Sequence, residues 1–275
     1  MIYLLSDDGR QALRALAAKP LLYAFDFDGT LAPLSADRNA VTLPPTIAEW
    51  LRELSTRVPC AIISGRACAD LEGRINRTAP YLIGNHGLES PLTPQSTLRW
   101  AEGICTAWKE TLATVFAPSL KDRGITVEDK RYSLTLHYSA SESGHNTGMA
   151  WPALLHHLSP APRLIAGHAS INLLPPGQYG KGQAALALMT HLRRTGLFFI
   201  GDDQTDEEVF ALREGLAMGV RVGRDQGTKA AYYLRRQHEI EDVLRFLVHR
   251  LDRTPEALGH QGSPSNDSHE AAHDV

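Results

Sequence analysis

The chain has 275 residues, 43% of them hydrophobic and 21% charged, with a formal net charge of -3. That length favours two domains or one with a large insertion, and that composition excludes a disordered chain. The near-neutral charge gives no global basic field for nucleic acid, and no apolar run approaches the roughly 20 residues that span a bilayer. The opening "MIYLLSDDGRQ" lacks the basic, apolar, small-residue order of a secretory signal, which points to the cytoplasm. Cys60, Cys68 and Cys105 form no CxxC pair and fit a reducing compartment.

Residues 7–18 read as an amphipathic helix, and "LLYAF" after them as a buried strand. "LPPTIAEWLRELSTR" has proline at its start and apolar residues at helical spacing; "VPCAIISG" is again a compact apolar run. "CADLEGRINR" predicts a further helix and "PYLIGNHG" a further strand. This alternation builds a doubly wound parallel sheet. It breaks near residue 98. There "AEGICTAWKETLATVFA" reads as a helix, "GITVEDKRYSLTLHYS" as one half-exposed strand, "AWPALLHHL" as a helix and "RLIAGHASINLLP" as strands, an inserted α+β unit. From Gly180 the first pattern returns. "GKGQAALALMTHLRRTG" reads as a helix, "LFFIGDD" as a strand, "TDEEVFALREG" as a helix and "LAMGVRVG" as a strand, and "EIEDVLRFLVHRL" is the last helix. Past Pro255 the polar sequence predicts disorder. The expected organisation is an α/β, Rossmann-like core over 1–97 and 178–255, an α+β insertion over 98–177, and a disordered tail over 256–275. Of the twelve histidines, His260, His269 and His273 fall in that tail and His156 and His157 are adjacent, so no histidine metal site is expected.

Three apolar strands end in chemically loaded sequence: "DFDGT", "SGR" and "GDDQTDE". In an open parallel sheet ligands bind outside the carboxyl ends of strands, near a switch point, so these ends should converge. Asp26, Asp28, Asp202, Asp203 and Asp206 would then make an acidic cluster whose oxygen-rich chemistry suits Mg²⁺. Asp26 and Asp28 lie at i and i+2 and face one side of the strand. One carboxylate can attack phosphorus while the other protonates the leaving alcohol and later deprotonates water. Ser64 and Lys181 would supply donors and positive charge to the phosphoryl group.

This constellation resembles the haloacid dehalogenase superfamily of phosphatases: "DFDGTL", "ISG", the Lys181 of "GKG" and "GDDQTDE" match its four motifs in order. Within it, "ISGR", "GNHGLE", "VEDK" running into "LHY", and "GDDQTDE" are similar to the trehalose-6-phosphate phosphatase family. The resemblance implies Asp26 as nucleophile, Asp28 as acid and base, and Mg²⁺ held by Asp26, the Asp28 carbonyl and Asp202. It implies phosphate contacts from Ser64, Gly65 and Lys181, and an insertion that acts as a cap closing on the sugar. Sugar contacts are implied at Glu128 and Lys130 in the cap, and at Arg66, Asn85, His86 and Gly87 in the core. Asn172 stands where the family carries a cap glutamate, with Leu174 and Ser139 as further departures. The implied substrate is trehalose 6-phosphate, a small molecule acted on by a monomer without nucleic acid or membrane. Another sugar phosphate, such as sucrose phosphate or a glycosyl phosphoglycerate, is the alternative, and a non-catalytic sugar-phosphate sensor is a third reading. Plainer roles also exist: Ser64 as a helix cap, Arg66 as a clamp on a carboxylate, and Glu128 and Lys130 as the wet face of a strand.

Overall fold

The computed structural model describes residues 1–35, 37–116, 120, 124–138, 155–167, 169–213 and 215–252. The chain opens with β1 (Ile2–Tyr3) and α1 (Asp7–Leu16), where Ser6 accepts from the Gly9 amide and Asp7 and Asp8 face the positive end of the helix dipole. Then come β2 (Leu21–Phe25), α2 (Pro45–Ser55), β3 (Cys60–Ile63), α3 (Cys68–Ile75) and β4 (Tyr81–Ile83). A 3-10 turn at Asn85–Gly87 precedes α4 (Gln95–Val115), β5 (Thr126–Asp129), β6 (Leu134–His137), β7 (Arg163–Gly167) and β8 (Ser170–Leu174). The chain continues through α5 (Lys181–His191), β9 (Gly196–Gly201), α6 (Glu207–Phe210), β10 (Ala217–Val222), β11 (Tyr232–Leu234) and α7 (Ile240–Leu251).

Among the described residues these strands form two sheets. Seven pair in the order β1-β11-β10-β9-β2-β3-β4, every pairing parallel. Four, inserted between β4 and β9, pair antiparallel in the order β5-β6-β8-β7. The parallel strands read as unbroken apolar runs because both faces are covered. Leu21, Tyr23 and Phe25 of β2 pack with α2, α3 and α7, while Leu22 and Ala24 pack with α5 and α6. β3 and β9 divide their side chains between the same two cores. From β2 the chain winds outward to β3 and β4, and from β9 the other way to β10 and β11. The switch lies between β2 and β9, and in open parallel sheets ligands bind outside the carboxyl ends at such a point.

α4 covers one face of the antiparallel sheet: Ile104, Cys105, Trp108 and Leu112 pack on Leu134, Leu136 and Leu173. It begins at Gln95, ahead of the expected break at residue 98. The segment read as one strand through "VEDKRYSLTLH" is a hairpin, with Asp129 opposite Leu134. Its turn carries no glycine signal. The Lys130 amide bonds the Ser133 carbonyl, Arg131 takes φ +71°, and the Asp129 carboxylate accepts from the Arg131 amide at 2.8 Å. An Asx-type side-chain bond thus does what glycine usually does. The helix expected over "TDEEVFALREG" is shorter, a 3-10 turn at Gln204–Asp206 followed by α6. Most of "AWPALLHHL", Ser139 and the polar tail lie outside the described residues.

Candidate active site

Asp26 follows β2 directly and is buried. Lys181, the first residue of α5, reaches it from the returning chain, with Nζ 2.7 Å from Asp26 Oδ1 and 2.8 Å from Asp206 Oδ1. Asp202 completes the group. One carboxylate oxygen each from Asp26, Asp202 and Asp206 lie within 4.8 Å of one another. Burial, countered by Lys181 and reinforced by Asp206 and Asp202, pushes the Asp26 carboxyl well above the usual range. Burial and the Asp206 charge push Asp202 up to about 7. Burial opposes the charge on Lys181, but Asp206 and Asp26 hold its ammonium above the ordinary value. Three carboxylates around one ammonium leave negative charge uncompensated in a low-dielectric place, which a cation would relieve. The donors are all oxygen, the set that fits Mg²⁺.

The surrounding backbone is folded to hold this group. Asp206 Oδ2 accepts from the Asp202 and Asp203 amides at 2.9 and 3.0 Å. Thr30 Oγ1 donates to Asp202 Oδ1 at 3.2 Å. Gly29 sits at φ +78°, and a Cβ there would lie 2.1 Å from Asp202 Oδ2, so the turn after β2 leaves no room for a side chain. Asp203, expected in the cluster, is exposed and caps its own turn by accepting from the Gln204 amide at 2.6 Å.

Asp28 belongs to a second, adjoining group. Arg66 grips it with two parallel bonds of 2.7 Å, Nε to Oδ2 and Nη2 to Oδ1, and gives Nη1 to Asp70 at 2.8 Å. Ser64, just past β3, is buried and its Oγ accepts from the Arg66 amide at 3.2 Å. The Gly65 carbonyl accepts from Lys130 Nζ at 3.0 Å, and the His86 ring packs against Gly65. Both His86 ring nitrogens are buried without a hydrogen-bond partner among the described residues. Burial, with Lys130 and Lys181 nearby, holds this imidazole well below its ordinary value and so neutral. Asn85 is fully buried: it donates to Glu89 at 2.8 Å and to the Lys130 carbonyl at 3.4 Å, and accepts from Ser133. Gly87, at φ +99°, lets that loop touch Gly180 just before Lys181.

The cap contributes Glu128, Lys130 and Asn172 to the same cleft. Glu128 Oε2 lies 2.7 Å from His137 Nε2, 3.7 Å from Arg38 and 4.0 Å from Lys130 Nζ. Burial would raise the Glu128 carboxyl, but the His137 bond, Lys130 and Arg38 bring it down to about 2, so it is ionised. Burial lowers Lys130 to about 8. Asn172 Oδ1 accepts from Thr135 Oγ1 at 2.7 Å and from Lys130 Nζ at 3.4 Å, while Nδ2 donates to the Ile165 carbonyl at 3.2 Å. Its amide is therefore engaged inside the cap and steadies Lys130. Leu174 is buried in β8.

Sequence reasoning missed Arg38 as part of this cleft and read His137 only as a structural residue of the inserted unit, without its contact to Glu128. No spacing marks them, because they meet only when the loop before α2 and the end of β6 are brought together. It also passed over the spacing His269-Glu270-Ala271-Ala272-His273, which is that of a zinc-binding helix. Those residues lie outside the described ones.

A family model for trehalose-phosphatase matches residues 24–237, from β2 to the turn before α7. The chain belongs to this family. A trehalose-phosphate phosphatase of Mycobacterium tuberculosis is 28% identical over 252 residues, covering 87% of this chain and 64% of the relative. The chain thus spans somewhat less than two thirds of the length of that relative. The C-terminal domain of a Candida albicans trehalose-6-phosphate phosphatase superposes with a TM-score of 0.65 at 22% identity, over 87% of this chain and 96% of that one. A haloacid dehalogenase-like hydrolase from Bacteroides thetaiotaomicron superposes with a TM-score of 0.55 at 14% identity, over 82% and 99%. These likenesses show the fold, a parallel core with a second, antiparallel sheet inserted in it. No helix among the described residues is long and apolar enough to cross a membrane.

Proposed function

We propose that the chain is a Mg²⁺-dependent phosphatase that hydrolyses trehalose 6-phosphate to trehalose and phosphate through an aspartyl-phosphate on Asp26. The observation that carries this is the meeting of Asp26, Lys181, Asp202 and Asp206 at the switch point of the sheet. Family membership supplies the sugar. Asp26, Asp202 and the Asp28 carbonyl would hold the ion, which when bound neutralises these carboxylates and draws charge from the phosphoryl oxygens.

Lys181 engages Asp26 Oδ1, so Oδ2 is the oxygen that attacks phosphorus. As the P–O bond to the sugar breaks, Asp28 gives its proton to the leaving oxygen. Asp28 then takes a proton from water, whose oxygen attacks the same phosphorus and releases Asp26. Lys181, Ser64 and Gly65 face the charge that develops on the phosphoryl group. Glu128 and Lys130 bind sugar hydroxyls, and His86, with two unused ring nitrogens, is placed to add another bond. Asn85 and Gly87 hold the loop that presents His86, Arg66 holds Asp28, and Asn172 acts through Lys130. On this reading residues 98–177 form the cap and residues 1–97 and 178–255 the core. One monomer supplies the whole site, and the three free cysteines suit the cytoplasm.

Asn172 in place of a cap carboxylate gives the second reading, a different sugar phosphate, its specific support. Phosphate release from a panel of sugar phosphates, with Mg²⁺ and then with excess EDTA, decides between them. The expected result is EDTA-sensitive release with the highest kcat/KM on trehalose 6-phosphate. A higher kcat/KM on sucrose phosphate or a glycosyl phosphoglycerate would favour the second reading, and binding without release would favour a sensor. The Gly29→Ala variant should stay folded yet need about 10- to 100-fold more Mg²⁺ for half-maximal rate, because its methyl displaces the Asp202 carboxylate. A Mg²⁺ titration reads this.

A further inference from the structure

We propose that Arg66 is a positioning residue for Asp28 and that Arg38 links it to the cap, so that sugar recognition and orientation of the acid–base carboxylate are one event. This rests on the phosphatase reading above and adds to it a route from cap to chemistry. Asp28 is about a third exposed at its side chain and by itself would be free to rotate. The buried Arg66 guanidinium occupies both its oxygens and lies over the Phe27 ring at 5.7 Å. Such a planar fork fixes direction as well as distance, which a lysine cannot do. Arg66 is itself fixed: Asp70 takes its Nη1 and also bonds Arg74.

The same guanidinium touches the loop before α2. Arg66 Nη2 donates to the Arg38 carbonyl at 3.1 Å, and Arg74 Nη1 donates to the carbonyls of Asn39 and Val41 at 3.0 and 2.5 Å. The Arg38 side chain leaves that loop for the cap, where it lies against His137 and 3.7 Å from Glu128 Oε2. A sugar hydroxyl that binds Glu128 must share it with Arg38 or displace it. The Arg38 carbonyl held by Arg66 and the Arg38 side chain beside Glu128 belong to one residue, which is the route proposed between sugar and acid. Nη2 gives one hydrogen to Asp28 Oδ1 and the other to the Arg38 carbonyl, so Asp28 and Arg38 meet at one nitrogen.

The test uses the full chain with Mg²⁺, comparing trehalose 6-phosphate with p-nitrophenyl phosphate, whose leaving group departs without a proton. Arg66→Lys should lower kcat on the sugar ester by about 100-fold with KM changed less than about 3-fold, as expected when general acid catalysis is lost. The pre-steady-state burst of p-nitrophenolate should fall by less than about 5-fold, since that bond needs no acid. Arg38→Ala, on a half-exposed side chain, should lower kcat on the sugar ester by about 10-fold, and the double variant should be no slower than Arg66→Lys, because residues on one path are not additive. Should Arg66→Lys unfold, Arg38→Ala still carries the comparison of the two esters. A rise in KM with kcat kept would place Arg66 on the substrate. Equal losses on both esters would make it structural, and losses that multiply in the double variant would separate Arg38 from it; each result overturns the proposal. A wild-type chain that hydrolyses the aryl ester but not trehalose 6-phosphate would instead overturn the substrate reading, and the variants are then compared on the sugar phosphate it does cleave.

Discussion

Asp26→Asn should yield a folded protein whose phosphate release falls by more than about 10⁴-fold, the scale on which loss of a covalent nucleophile acts. The amide keeps the shape of the carboxylate and still accepts from Lys181, which retains Asp206 as its counter-charge. It has no anionic oxygen to attack phosphorus. Stability should not fall with activity. Asp26 is buried beside Asp206 and Asp202 and its carboxyl is pushed well above the usual range, so its ionised form costs the fold free energy. A carboxyl whose folded pKa is raised makes the protein more stable as pH falls, because the folded state holds the proton more tightly. At neutral pH the neutral isostere removes that cost. The variant should therefore melt at or above the wild-type temperature, measured by circular dichroism alongside the phosphate assay.

Lys181→Met should damage both activity and fold. Lys181 is buried and bridges Asp26 and Asp206, and removing one partner of a buried ion pair costs about 3–5 kcal/mol because charge is left unpaired. Against a typical total of about 5–15 kcal/mol, that is a large share. The loss should depend on pH with a definite sign. Without the ammonium, Asp26 loses the charge that opposes its protonation, so its folded value rises further above the unfolded one. The variant then gains on wild type as pH falls from 8 to 5, and the gap between denaturation midpoints narrows. Turnover should fall by about 10²- to 10³-fold even where the variant is folded, as when one preorganised donor is taken from a developing anion. Urea titrations at several pH values and single-turnover rates separate the two effects.

Much of the core was legible because its signals are local. Unbroken apolar runs such as "LLYAF" and "LFFI" betray strands buried on both faces, and the acidic sequence that follows each marks the end that faces the crevice. β1 and β11 were not legible, since two and three residues carry no periodicity. The β5–β6 turn was hidden because Asp129 and a left-handed Arg131 replace the usual glycine. In the site, motif order and spacing singled out Asp26, Lys181 and Asp202, which the fold brings together, and Asp28 beside them. They did not show that Asp203 points away while Asp206 turns in, because that depends on which carboxylate the loop amides choose. Nor did they find Arg38, whose role arises from tertiary contact alone.

A carboxylate oxygen of Asp26 is the atom proposed to receive the phosphoryl group. Acid-quenching the full chain during turnover of trehalose 6-phosphate with Mg²⁺, then reducing with borohydride and mapping by mass spectrometry, tests this directly. Homoserine at position 26, absent without substrate, is the predicted result. Continued phosphate release with residue 26 unmodified, or with the mark on another carboxylate, would contradict it.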